Sequence, residues 1–230
     1  APLRPGGLDP LLALIEQHIA DGRYPGCQVA LAHQGRLVLS KSLGQARIGQ
    51  GHPADTQAVP AQDDTLWLLY SNTKVITATA LWKLHEQGRL RFTDAVADYL
   101  PEFSQHDKAD ITLFQVITHQ GGFPDAEVPL ELTGDHARVR ERVCDFSLQW
   151  APGSRVHYHG LSAHWVLGMV IEAITGQDFR QAITDLVLRP LGLERDLFVG
   201  LPSSEASRMS YLYQPGKTAG SYDLRFESTS

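Results

Sequence analysis

The sequence predicts a mixed α/β (α+β) chain, an antiparallel sheet flanked by helices together with an all-helical subdomain, and three observations carry that expectation. A helical apolar period opens the chain, two Val- and Leu-rich runs follow it, and from Ser71 onward apolar residues return at helical spacing. The order of these patterns divides the chain into an N-terminal helix and β-hairpin over residues 1–70, a helical subdomain over 71–200, and a tail over 201–230 returning toward the sheet.

Composition narrows the function classes. With 230 residues, 43% hydrophobic and 20% charged, the chain can bury a sizeable core, which excludes disordered and fibrous classes. A net charge of -6 and the lack of any Lys/Arg cluster leave no electrostatic footprint for nucleic acid or an anionic membrane, so small-molecule chemistry is expected. No stretch reaches the roughly 18 apolar residues of a membrane span. The opening Ala1-Pro2-Leu3-Arg4 shows no basic region followed by an apolar one, so a soluble chain is expected, with cytoplasm and periplasm both open. Cys27 and Cys144 are too few for a disulfide framework and read as small buried hydrophobes.

Each element has its own signal. Leu8, Leu11, Leu12, Leu14, Ile15 and Ile19 give a helix that ends at Asp21-Gly22. Residues 27–33 and 36–40, separated by Gln34-Gly35, read as a β-hairpin. From Gln45 to Asp64 the Gly-, Gln-, Pro- and Asp-rich sequence reads as a loop leading into the apolar run 66–70. Helices are then expected over 71–87, closing at Gly88, after Thr93, from about Thr112, and over 135–146, 161–175 and 179–188. The tail after Ser210 is polar, with strand character in short pieces only. Two strands alone make a marginal sheet, so the hairpin is expected to need further strands or a covering helix, and the sheet is expected to be incomplete.

Ser71-Asn72-Thr73-Lys74 stands where the apolar run gives way to a helix. At this spacing the hydroxyl and the amine share a helix face. The helix N-terminus supplies unpaired N–H groups and a positive dipole end, which favour an alkoxide or a developing oxyanion and disfavour an ammonium. Lys74 is therefore expected to keep a neutral fraction able to accept the Ser71 proton. With five Lys in the chain against fifteen Arg, a Lys in the first turn of an otherwise apolar helix is unexpected. Ser is also a common N-cap and Lys a common exposed helix residue, so the pair alone leaves both readings open.

The longer segments LYSNTKVITATALWKLHEQGRLRFTDAVADYLPEF, ITLFQVITHQGGFPD, WAPGSRVHYHGLSAHWVLGMVIEAITGQDF and LRPLGL add specificity. Together they make the chain resemble the serine β-lactamase and penicillin-binding-protein superfamily, in the class C-like branch that includes family VIII carboxylesterases and D-aminopeptidases. The resemblance runs from about Leu8 to Ser210 and implies the β-lactamase-like fold, no cofactor and no metal. It further implies that Tyr158, sharing a proton with Lys74, acts as general base in acylation and deacylation and as acid toward the leaving group. The family's Tyr-x-Asn falls on Tyr158-His159-Gly160, where Gly160 lacks the amide that would bond Lys and a substrate amide. That departure tilts the expectation from lactams toward small carboxylic esters. The family's Lys-Thr-Gly strand has a lookalike in Lys217-Thr218-Ala219-Gly220, but Ala stands where Gly belongs, so the chain is expected to stop short of the true third motif.

The expected function is hence a serine acyl hydrolase with catalytic Ser71, Lys74 and Tyr158. A β-lactamase or D-amino-acid peptidase on the same scaffold is the first alternative, and a catalytically impaired binding protein the second. Tyr70, Phe123, His159 and Gly160 are the candidate substrate-binding residues. His157, His159 and His164 could in principle ligate a metal, but without a matching carboxylate or Cys pattern they read as pocket-rim or hydrogen-bonded histidines. His119 reads as part of a structural loop. Trp67, Trp82, Trp150 and Trp165 read as core or groove residues, Asp94 as a first-turn helix acid, and Arg138, Arg140, Glu141 and Arg142 as a solvated face. An exposed sheet edge leaves a homo-oligomer open alongside the small ester or lactam substrate.

Overall fold

The computed structural model describes residues 4–50, 56–218 and 220–226. It divides into two compact units, one formed by residues 1–68 and 200–230 and the other by 69–199.

In the first unit, helix α1 (Asp9–Ala20) starts with Asp9 and Pro10, an acid and a fixed φ that both suit a first turn. Strands β1 (Gly26–His33) and β2 (Arg36–Ile48) pair antiparallel through a two-residue turn at Gln34 (φ 51°) and Gly35 (φ 73°), the positive-φ pair that matches strand twist. β2 runs past the expected end at Ser40 to Ile48, and β3 (Ala58–Pro60) pairs with it, so the expected loop over 45–64 is partly sheet, in the order β1-β2-β3. Gly44, at φ 72°, hides this continuation in the sequence. A Cβ there would meet the Pro25 carbonyl oxygen at 2.3 Å, so only Gly lets β1 and β2 close at this point. The tail rejoins this unit. The Leu66 amide donates to Arg208 O and the Ser210 amide to Leu66 O, each at 2.8 Å, and the Tyr211 amide donates to Ala46 O at 3.0 Å. Strands β4 (Leu212–Pro215) and β5 (Tyr222–Phe226) then form a separate antiparallel pair. Strands thus extend beyond the first third of the chain.

In the second unit, α2 (Thr73–Glu86) and α5 (Ser162–Thr175) pack against each other at the centre. Thr77, Ala80, Leu81 and Leu84 line the buried side of α2, while α5 is buried from Val166 through Ile171. A run buried on every side fits a central helix. Around them lie α3 (Leu113–Ile117), α4 (His136–Cys144) and α6 (Phe179–Ile183), the last continued by a π-helical turn over 184–188. Thr112 and Gln115 form a reciprocal capping box on α3, and the Asp135 carboxylate accepts the Ala137 and Arg138 amides at the start of α4. Gly88 ends α2 at φ 71°, with the Arg89 amide donating back to Leu84 O. The helix expected after Thr93 is a pair of 3-10 turns, Val96–Asp98 and Pro101–Ser104. Phe103, Phe123 and Phe146 fill the core with Leu81, Leu84 and Leu167. Each such side chain contributes about 1.5–3 kcal/mol through burial.

Cys144 is buried as expected, whereas Cys27 is only half-buried; both are free thiols. Trp82 is likewise more open than expected at 58% exposure, since its ring lies over His85 and Phe92 on the outer side of α2.

Candidate active site

Tyr70, Ser71 and Asn72 form a 3-10 turn immediately before α2, so Ser71 precedes the α-helix rather than opening it. Tyr70 sits at φ 47°, a left-handed conformation a bulky residue adopts only when its surroundings impose it. The Asn72 amide and side chain both bond the Leu69 carbonyl, at 3.1 and 3.0 Å, which fixes the turn. No side-chain cap bond is made by Leu69 or Asn72 at the two helix starts. Ser71 serves neither as N-cap, and its hydroxyl is committed elsewhere.

Lys74 Nζ donates to Ser71 Oγ at 3.2 Å and to the Gly160 carbonyl at 2.7 Å. The Tyr158 hydroxyl bonds Ser71 Oγ at 2.7 Å, and Lys74 Nζ lies 5.1 Å from the Tyr158 ring centre. Ser71 Oγ thus has two partners 87 and 3 residues away. The Ser71 and Lys74 bonds hold the Tyr158 phenol below its ordinary value of 10. Both favour the phenolate, one by donating to it and the other also by charge.

The segment carrying Tyr158 is irregular and is fixed by its neighbour, the loop over 118–123. Gly153 N donates to Gln120 O at 2.9 Å, His157 N to His119 O at 3.0 Å, and Gln149 N to Gly122 O at 2.7 Å. His159 N donates to His119 Nδ1 at 3.2 Å. His159 Nε2 accepts the Phe123 amide at 3.1 Å while its Nδ1 faces His157 O at 2.6 Å, so the proton of His159 belongs on Nδ1. By the same reasoning His119 carries its proton on Nε2. Burial pushes both imidazoles below their ordinary value, with the charge of Lys74 adding to the effect on His119. His164, on α5, is pushed down to about 4, by burial first and then by Lys74 and His119. Three neutral imidazoles therefore surround the pair.

Two candidate substrate-binding residues turn away from an open pocket. Phe123 is fully buried, with its ring against Phe103, Phe146 and His159, so it faces the core rather than an open pocket. His159 is equally buried and spends both ring nitrogens on backbone groups. Tyr70 is 55% exposed next to Ser71. Gly160 enters through its backbone, because its carbonyl holds Lys74. The sequence reading, which considered side chains only, missed this role, while His119, read as part of a structural loop, accepts the His159 amide there. His119 stands at φ 62° in that loop, ahead of Gln120-Gly121-Gly122.

The lookalike Lys217-Thr218-Ala219-Gly220 follows β4. Lys217 and Thr218 lie in the turn toward β5, and Ala219 lies outside the described residues. Among the described residues one cluster brings metal-ligating atoms together: His136, Glu172 and Asp178, within 4.8 Å of one another. Its donors already have partners. Glu172 Oε1 accepts from the Phe179 amide at 2.9 Å and meets His136 Nδ1 at 2.5 Å, while Asp178 caps α6 and pairs with Arg180. The trio closes the turn between α5 and α6. His157, His159 and His164 are not part of it. Arg140 pairs with Glu102 at 2.9 Å, and Asp94 accepts from the Arg91 amide and the Tyr99 hydroxyl at 2.6 Å each. Among the described residues no helix is long and apolar enough to cross a membrane.

A provisionally named D-alanyl-D-alanine carboxypeptidase of Escherichia coli (strain K12) is 31% identical over 198 residues, covering 80% of this chain and 45% of that protein. Protein flp of Staphylococcus aureus (strain MW2) is 28% identical over 192 residues, covering 80% of this chain and 37% of its own length. The crystal structure of a penicillin-binding protein homologue from Caulobacter crescentus superposes with a TM-score of 0.76 at 31% identity, over 94% of this chain and 56% of that one. A family VIII carboxylesterase superposes with a TM-score of 0.76 at 27% identity, over 92% and 57%. The chain thus spans about half the length of these relatives. The beta-lactamase family model matches residues 11–225, and the chain belongs to that family.

Proposed function

We propose that the protein is a serine acyl hydrolase that cleaves small carboxylic esters through an acyl-enzyme on Ser71. The observation that carries this reading is the joint approach of Tyr158 and Lys74 to one oxygen, Ser71 Oγ, at 2.7 and 3.2 Å. With Tyr158 as phenolate, the same 2.7 Å contact has the Ser71 hydroxyl donating to it.

Ser71 Oγ attacks the ester carbonyl as its proton passes to Tyr158. The charge that develops on the carbonyl oxygen is met by the positive dipole end of α2, which Ser71 leads into. The C–O bond to the alcohol breaks, and the alkoxide takes the proton from Tyr158. Water then gives a proton to Tyr158 and attacks the acyl carbon, the Ser71 ester bond breaks, and Ser71 Oγ regains the proton. Lys74, anchored on Gly160 O, donates to Ser71 Oγ beside Tyr158. No metal or cofactor takes part in these steps.

The absence of a side chain at Gly160 supports esters over lactams and peptides, because those substrates offer an amide that a side-chain amide would bind. The relative named for D-alanyl-D-alanine supports the alternative, a peptidase or β-lactamase on the same scaffold. Comparing p-nitrophenyl butyrate, nitrocefin and a D-Ala-D-Ala peptide by kcat/KM, with wild type and Ser71→Ala, separates the readings. The ester is expected to be the best substrate and to be lost in Ser71→Ala. A wide margin for an amide substrate overturns the ester reading, and equal rates for the two proteins overturn the hydrolase.

A further inference from the structure

We infer that His119 is a positioning residue for Tyr158, holding the phenol against Ser71 by clamping the chain on both sides of it. This rests on the role proposed for Tyr158.

His119 touches the Tyr158 segment in three ways. Its carbonyl accepts the His157 amide at 3.0 Å, one residue before Tyr158. Its Nδ1 accepts the His159 amide at 3.2 Å, one residue after. Its ring packs on the phenol between these two bonds, with 4.8 Å between ring centres and a tilt of 57°. The segment from 151 to 161 forms no helix or strand, so backbone contacts with the 118–123 loop decide where Tyr158 points.

The clamp needs a particular side chain. An acceptor must stand two bonds beyond Cβ, and the backbone must tolerate φ 62°. His satisfies the first as long as it is neutral. Asn satisfies both, since its Oδ1 occupies the place of Nδ1 and it adopts left-handed backbone readily. Gln carries its oxygen one carbon too far, and Leu offers no acceptor, leaving the His159 amide without its partner. The groups facing His119 are Lys74 from α2, Tyr158 and His159 from its own neighbouring segment, and His164 from α5. Of these, Lys74 is the cation, and Tyr158 is the group whose position the clamp governs.

Loss of the clamp lengthens the bonds from Tyr158 to Ser71 and Lys74, which are what lower its titration. Two readouts follow, one of which needs no activity. Near-ultraviolet phenolate absorbance, as the difference between each protein and its Tyr158→Phe partner, follows Tyr158 directly. His119→Leu and His119→Gln are expected to titrate Tyr158 at higher pH than wild type, and His119→Asn close to wild type. In ester hydrolysis, His119→Leu is expected to lower kcat about tenfold to a hundredfold with KM nearly unchanged. In a Tyr158→Phe background the same change is expected to cost less than threefold.

Should Leu compromise folding, the Asn and Gln pair decides, since both are polar and they differ only in reach. An unmoved Tyr158 titration in folded His119→Leu or His119→Gln overturns the inference, as does an undiminished cost in the Tyr158→Phe background. If Tyr158→Phe itself leaves hydrolysis unchanged, the catalytic reading fails, and the phenolate titration still judges the clamp.

Discussion

Lys74 Nζ donates to the carbonyl of Gly160 at 2.7 Å, across 86 residues of chain. A backbone oxygen thereby does for Lys74 what a side-chain amide at this position does in the family pattern, while offering nothing to a substrate amide. The position is also open, because a Cβ built on Gly160 meets no atom within 4 Å. Gly160→Asn is therefore expected to fold with an unchanged Tm. It is expected to raise kcat/KM for nitrocefin relative to p-nitrophenyl butyrate by roughly tenfold, the worth of one well-formed hydrogen bond. An unchanged ratio in folded Gly160→Asn argues against a role for this position in substrate choice.

Tyr158 and Lys74 both bond Ser71 Oγ, so under the proposed mechanism their losses should not add. Tyr158→Phe and Lys74→Met are each expected to lower kcat about 10²–10⁴-fold. The double variant is expected to be little worse than the more damaging single one, as for residues that work as a unit. Steady-state kinetics on the four proteins measures this, and multiplicative losses contradict a shared role.

The pH profile carries a sign. Tyr158 titrates below the ordinary tyrosine value, held down first by its bond with Ser71 and then by its bond with Lys74. With its phenolate as the proposed base, kcat/KM is expected to rise with pH through that lowered value and to level off above it. Removing the Lys74 charge weakens one of the two causes. The rising limb is then expected to move to higher pH in the residual activity of Lys74→Met, and a shift to lower pH contradicts the assignment of Tyr158.

Stability should depend on pH through His164. Its folded-state value of about 4 lies below the unfolded one of about 6.5. Between these limits the unfolded chain binds a proton that the folded chain does not. The neutral imidazole thus costs nothing above about pH 6.5, and stability is lost as pH falls toward 4, by up to roughly 3 kcal/mol. His119 and His159 shift in the same direction. Urea midpoints at pH 7 and pH 4.5 are expected to converge in His164→Leu relative to wild type, and an unaltered difference excludes His164 as a source.

Lys108 is fully buried in the helical unit, with Nζ donating to Gln105 O at 2.8 Å and Cys144 O at 3.0 Å, and 5.0 Å from the Phe103 ring centre. Lys108→Met keeps most of the volume and removes the donors, which is expected to cost about 1–3 kcal/mol. Lys108→Ala adds a cavity and is expected to cost about 2–5 kcal/mol. Urea denaturation orders the two, and an Ala variant as stable as the Met variant contradicts tight packing at this point.

How far the sequence can be read depends on where the information sits. That Ser71 and Lys74 meet is legible because their three-residue spacing is a local property, and that Tyr158 joins them because its motif is carried in a long surrounding segment. Gly160 is illegible as a Lys74 partner because a carbonyl oxygen leaves no mark on residue type. Phe123 and His159 follow the Gly-rich loop and the Tyr motif in sequence, which suggests a pocket, yet the loop turns their side chains into the core. The second half of β2 is hidden by Gly44 and polar neighbours, since its pairing with β3 is a tertiary fact that alternation does not reveal. The helices of the second unit fared better because α2 and α5 bury periodic or continuous apolar faces.

Covalent labelling tests the central claim, a nucleophilic Ser71, most directly. Intact-mass spectrometry of the folded protein after a fluorophosphonate probe, followed by peptide mapping, is expected to show one adduct on Ser71, lost in Ser71→Ala and slowed in Tyr158→Phe. Folded wild-type protein that stays unlabelled, or an adduct on another residue that persists in Ser71→Ala, contradicts the role given to Ser71.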